Sequence, residues 1–268
     1  MKKYLIITAI LLSIIITGTS GCSVIRSARI IAPSLFGTTE IKEGIYLDED
    51  ATENQKNELY DSVNTAKERL AYFYGTLKTK PKIVACGTED CYRKFGGVSA
   101  KGKNYGSIAI LLSPRGINPE IISHEWSHRE LFERLGFLKS RKIVYWFDEG
   151  LAVYISKDEV YSHEKWLKAT ENTSKILGLD DIDTLQKWLK ANREEEHIMS
   201  YGTAREEVAR WLERVGVDGL RELLNRLSKG EDFYSAYFSI ANINSTFLER
   251  ITYNRVAGGF SPPAPTPP

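Results

Sequence analysis

His124-Glu125-Trp126-Ser127-His128 decides how this 268-residue chain is read. On an α-helix, residues four apart lie one turn above each other on the same face. Two imidazoles at that spacing can both reach one Zn2+, at about 2.0–2.1 Å each. Glu125 is offset around the helix, so its carboxylate can hold a water beside the metal instead of binding the metal. Zinc brings the pKa of such a water down to roughly 7, and a neighbouring carboxylate can take its proton as it attacks a carbonyl. The bland alternative is a chance match on an ordinary amphipathic helix. Against it, the chain holds only four histidines, and two of them fall at this spacing with a glutamate in the right slot.

The flanking residues predict a helix. Asn118 is placed to cap it, Pro119 suits the first helical position, and Glu120 puts an acid in the first turn. Ile121, Ile122, Trp126, Leu131, Phe132 and Leu135 supply apolar faces, and Gly136 closes the helix. A catalytic zinc needs a third protein ligand and an open position. The metzincin pattern asks for Gly and His three and six residues beyond the second histidine. Leu131 and Arg134 stand there, so that pattern fails. Glu130 and Glu133 share the helix but are offset away from the metal. The next candidate is Glu149, in Val144-Tyr145-Trp146-Phe147-Asp148-Glu149-Gly150-Leu151-Ala152-Val153-Tyr154.

With that segment the chain resembles the gluzincin metallopeptidases, in particular their small minigluzincin-type members. Their signature is HExxH followed on the next helix by a glutamate in a segment like (N/D)EGxA, which Asp148-Glu149-Gly150-Leu151-Ala152 matches. The resemblance implies His124, His128 and Glu149 as zinc ligands and Glu125 as general base. The twenty residues between His128 and Glu149 suit a helix end, a loop around Lys139-Ser140-Arg141, and a returning helix. Gly150 and Ala152 would let the two helices approach closely, and Asp148 could orient a ligand histidine. A surface acid at a helix start is the competing reading of Glu149.

The same resemblance points to Tyr201, in Ser200-Tyr201-Gly202-Thr203-Ala204-Arg205, as a donor to the oxyanion of a tetrahedral intermediate. With fourteen tyrosines in the chain, an aromatic packing role suits it equally. Arg205 lies one turn on and reads as a solvated ion pair. His163 and His197 lack a partner at ligand spacing and read as surface histidines. The GxMEN-like segment by which aminopeptidase-type gluzincins grip a free amine is absent; Tyr105-Gly106-Ser107-Ile108 does not match it. The resemblance therefore implies an endopeptidase.

Residues 1–22 read as an export signal. Lys2 and Lys3 precede an apolar run from Tyr4 to Ile16, shorter than the roughly 20 residues of a membrane span. Cys22 after Ser20-Gly21 resembles a bacterial lipobox, which implies a lipidated cysteine holding the chain to a membrane of the cell envelope. Thr19 stands where that pattern usually has leucine, which leaves open ordinary cleavage or an uncleaved anchor. Cys86 and Cys91 then remain as a pair. An exported chain can join them as a disulfide if their Cα atoms come within about 7 Å. A zinc site there would need two more soft ligands, and none is near in sequence.

A net charge of +1, with acids and bases scattered, gives no sign of nucleic-acid binding, and 42% hydrophobic residues suit an ordinary globular core. Residues 23–40 read as a tether and 258–268 as a proline-rich tail. The catalytic domain is expected over 41–257. Within it, the stretch from Thr52 to Tyr74 is amphipathic, burying Leu59, Val63, Ala66, Leu70 and Phe73. Strands are expected at Lys82–Cys86 and at Tyr105–Ser113; the resemblance to gluzincins implies that the latter is an edge strand bordering the cleft, to which an extended peptide could add. Beyond Tyr154 the pattern is helical, at 185–190, 204–215, 219–228 and near Phe247. The fold class is α+β, a small sheet over a zincin core made of the HExxH helix and the glutamate-ligand helix. Two other functions suit the same residues, a zinc-binding envelope lipoprotein without catalysis and a hydrolase of another acyl bond such as a cell-wall crosslink.

Overall fold

The computed structural model describes residues 28–192 and 197–242. Cys22 with its signal-like segment, the helix expected near Phe247 and the proline-rich tail lie outside them. The chain folds as two compact units, Met1–Leu59 with Pro81–Ile117, and Tyr60–Lys80 with Asn118–Pro268. Helix and sheet are mixed, and among the described residues no helix is long and apolar enough to cross a membrane.

The first unit holds a five-stranded sheet, β1 (Thr38–Lys42), β2 (Ile45–Asp48), β3 (Ile83–Ala85), β4 (Gly102–Asn104) and β5 (Ile110–Leu112), in the order β1-β2-β3-β5-β4. β1 and β2 form an antiparallel hairpin whose turn places Gly44 at φ 78°, a left-handed conformation that glycine adopts without a Cβ penalty. β3 is parallel to β2 and to β5, so the chain between β2 and β3 makes a crossover, supplied by helix α1 (Glu53–Tyr74). Ile83-Val84-Ala85 and Ile110-Leu111-Leu112 are buried at every position, the continuous apolar runs of central strands. The five positions named for the amphipathic stretch are all buried on α1.

Two expectations are corrected here. The strand expected at Tyr105–Ser113 is confined to Ile110–Leu112 and is not an edge. Tyr105 to Ala109 is spent on a turn, closed by Tyr105 N–H to the Ala109 carbonyl at 2.8 Å, and the turn brings β4 alongside as the edge strand. Gly-Lys-Asn has little strand propensity, so periodicity passes over it. The expected tether is also shorter. Ile30 is fully buried in a core cluster with Val84, Tyr92, Phe95 and Leu111, and most of β1 falls before residue 41. Cys86 and Cys91 are disulfide-bonded with Cα atoms 5.4 Å apart, joining the end of β3 to helix α2 (Glu89–Lys94).

The second unit contains α1 from Tyr60 onward, α3 (Pro119–Ser140), α4 (Tyr145–Ser156), α5 (His163–Ala169), α6 (Leu185–Ala191), α7 (His197–Ser228) and α8 (Phe233–Ile240). Gly136, expected to close the motif helix, does break it at φ 73°, but a further helical turn follows to Ser140. The two helices expected at 204–215 and 219–228 both lie within α7, parted at Gly216, whose φ of 66° is not helical. Trp146, Phe147, Trp211, Phe233 and Tyr237 form the aromatic centre, with ring centroids 4.8–6.1 Å apart. α4 meets α7 at backbone distance: a Cβ added to Gly150 would lie 2.4 Å from the carbonyl oxygen of Ala204. Only glycine permits that approach.

Candidate metal centre

The motif helix is anchored before it presents any ligand. The Asn118 side chain accepts from Ile121 N–H at 2.9 Å and Pro119 opens the first turn, as the sequence predicts. On the side away from the histidines, Glu130 is fully buried. It accepts from the Lys78 and Thr79 backbone N–H groups at 2.7 and 3.0 Å, from the Thr79 hydroxyl at 2.6 Å and from Arg134 at 2.9 Å. The Trp126 indole donates to Thr79 Oγ1 at 2.8 Å, and Ser127 Oγ lies 2.8 Å from the Tyr74 hydroxyl. Buried polar groups satisfied this fully hold a helix to one rotation. Glu133 pairs with Arg129 on the same helix, and neither it nor Glu130 belongs to the His124–His128–Glu149 group.

On the opposite side, His124 and His128 bring their Nε2 atoms to 3.1 Å. Glu149, in the second turn of α4, places Oε2 at 3.5 Å from His124 Nε2 and 3.7 Å from His128 Nε2. Four ligands around a tetrahedral zinc at about 2.0–2.1 Å stand roughly 3.3 Å from one another. The three separations bracket that value. Glu149 Oε2 is buried and has no hydrogen-bond partner, an acceptor that a cation would satisfy. Two imidazoles and a carboxylate are a donor set suited to a divalent metal. Among the described residues these three form a group able to hold a metal ion.

Asp148 Oδ1 lies 2.6 Å from His128 Nδ1. That contact fixes the ring and leaves Nε2 to face Glu149, the orienting role anticipated for Asp148. Burial alone would lower the His128 pKa, but the charges of Asp148 and Glu149 outweigh it and raise it to about 10. Burial pushes Glu149 the other way from its net shift. The His128 charge, with His124 and Tyr145 close by, holds its carboxyl below the ordinary value.

Three tyrosines surround Glu149. Tyr145 stands one helical turn before it, and burial with the neighbouring Glu149 charge drives its pKa up. Tyr201 lies in the first two turns of α7 with its ring 6.4 Å from that of His124, stacked on Tyr161 at 4.9 Å and edge-on to Trp188 at 4.7 Å. Burial and the Glu149 charge raise its pKa strongly, against the opposing effect of the neighbouring Trp188. Tyr161 is pushed up to about 12, by burial first and then by Asp158 and Glu149. Glu125 is half-buried on α3, and its charge is felt by both His128 and Tyr145.

Arg205 pairs with Glu206, whose other oxygen is 2.9 Å from His163 Nδ1, and His197 is exposed near Tyr161. None of these three belongs to the metal group. Tyr145, Tyr161 and Trp188 were missed from sequence. For Tyr145 a signal existed, since a residue four before a helical ligand shares its face. Compared with known proteins, the sequence matches no family model and no curated protein.

Proposed function

We propose that the chain is a zinc-dependent metallopeptidase with a zincin core, a gluzincin-type ligand set of His124, His128 and Glu149, and endopeptidase action on peptide or protein substrates. The convergence of those three side chains, with Asp148 locking the His128 ring, is the observation that carries the reading. Bound zinc would polarise the scissile carbonyl and acidify a water. Glu125 would then serve as general base, accepting a proton from the attacking water and passing it to the leaving amine. Tyr201 donates its phenol O–H to the oxyanion, with the Trp188 contact orienting it. Tyr145 keeps the Glu149 carboxylate aimed. Lipidated Cys22 places the enzyme on a membrane of the bacterial cell envelope.

The test is to purify the chain, measure bound zinc, and compare cleavage of a peptide library with Glu125→Gln. Zinc near one equivalent, with cleavage lost in the variant, supports the peptidase. Bound zinc with no cleavage by either protein favours a binding module, and a wild type without zinc removes the site. Cys22→Ser should abolish lipid labelling and membrane retention.

A further inference from the structure

We propose that the Cys86–Cys91 pair and Asp48 form a second, redox-gated site for a soft divalent cation, closed while the disulfide is intact and opened by its reduction. The sequence places no further soft ligand near the two cysteines, and the carboxylates between them, Glu89 and Asp90, open helix α2. The fold does: Asp48 ends β2, β2 is hydrogen-bonded to β3, and Cys86 follows directly after β3. A carboxylate oxygen of Asp48 and the two sulfurs lie within 4.8 Å of one another.

Asp48 is half-committed to local structure. Its Oδ2 accepts from Gly87 N–H at 3.1 Å and from the Thr88 hydroxyl at 3.4 Å. Its Oδ1 is buried and has no hydrogen-bond partner. A buried acceptor left without a donor is a standing cost that a cation removes. Burial also pushes this carboxyl above the ordinary aspartate range, against the Gly87 and Thr88 hydrogen bonds. Cys86 is fully buried while Cys91 is partly open, which gives a cation an entry side and leaves room for a water as fourth ligand.

The chemistry balances simply. A dithiol reductant splits the Cys86–Cys91 bond into two thiols and is itself oxidised to a disulfide. Cation binding then displaces the two thiol protons to solvent. Around a tetrahedral cation with metal–sulfur bonds of about 2.3 Å, the sulfurs stand roughly 3.7 Å apart. Cα atoms 5.4 Å apart accommodate that separation by side-chain rotation. Two thiolates and one carboxylate favour a soft or borderline ion, Cd2+ or Zn2+, over Mg2+ or Ca2+.

The test titrates the full chain with Cd2+, oxidised and after reduction by a dithiol that is then removed under anaerobic conditions, following the thiolate-to-cadmium charge-transfer band. The band reports cysteine ligation alone, so it is blind to the histidine site. Reduced protein should take up one more equivalent than oxidised protein, with the band growing in step. Asp48→Asn keeps an oxygen to accept from Gly87 but loses the charge, and should weaken this step by about tenfold or more. Cys91→Ser should abolish it. No additional equivalent on reduction, unweakened binding by Asp48→Asn, or loss of far-ultraviolet circular dichroism on reduction would each overturn the proposal. The peptidase reading fails on a different observation, a wild-type oxidised protein that takes up no zinc.

Discussion

Gly150→Ala sets two magnitudes against each other at the residue next to Glu149. In an exposed helix interior this substitution would stabilise by roughly 1 kcal/mol, because glycine is the poorer helix former. At position 150 the new methyl would sit 2.4 Å from the Ala204 oxygen, 2.6 Å from the Ala204 carbonyl carbon and 3.0 Å from Val208 Cγ2. The first two atoms are helix backbone and cannot swing aside, so α4 must move away from α7 by about 1 Å. Overpacking of this kind costs 1–3 kcal/mol, and the rigid neighbour argues for about 3. The net expectation is a loss of about 2 kcal/mol. For a folding unit of this size that lowers Tm by about 4–8 °C, measured by circular dichroism in excess chelator. The displaced helix also carries Glu149, so zinc affinity by competition titration should fall as well. Gly136→Ala is the control: its Cβ meets nothing within 4 Å, and its φ of 73° costs about 1–2 kcal/mol without touching the ligands. A Gly150→Ala protein as stable as wild type, with unchanged zinc affinity, would refute the close α4–α7 contact.

Other perturbations isolate single contacts. Asp148→Asn should weaken zinc binding about 10–100-fold with the fold retained, read by competition against a chromophoric chelator; wild-type affinity would show that the His128 ring needs no such partner. Glu130→Ala strands the Arg134 charge and the Lys78 and Thr79 N–H groups, and should cost about 3–5 kcal/mol in urea unfolding. Tyr201→Phe should lower kcat by roughly 100- to 1,000-fold with KM nearly unchanged, as for loss of an oxyanion donor; a variant that loses only thermal stability would assign Tyr201 to packing. Adding zinc at about 100 times its Kd should stabilise the chelated protein by about 2.7 kcal/mol, measured as a Tm rise that His124→Ala abolishes.

The parts of the site that could be read in the sequence are those whose geometry is set within one helix. His124 and His128 share a face because of their spacing, Asn118 and Pro119 start the helix that carries them, and Glu149 stands in a short recognisable segment. Periodicity also found α1, since Leu59, Val63, Ala66, Leu70 and Phe73 repeat at the helical interval. What escaped depends on pairings distant in sequence. Nothing local to Gly102-Lys103-Asn104 says strand; the antiparallel register with Ile110–Leu112 makes it one. Glu130 reads as an ordinary surface acid until the 78–79 backbone is folded over it. Asp48 and Cys86 are brought together only by the parallel pairing of β2 with β3.

The contact between Asp148 and His128 has a kinetic consequence. Because a neighbour on α4 grips the far nitrogen of the ring, the imidazole would keep one rotamer whether or not the proposed site holds an ion. Its ordering entropy is spent once, at folding, instead of at every binding event. At the proposed metal site, ions should therefore exchange at rates governed by solvent shedding, with no conformational search.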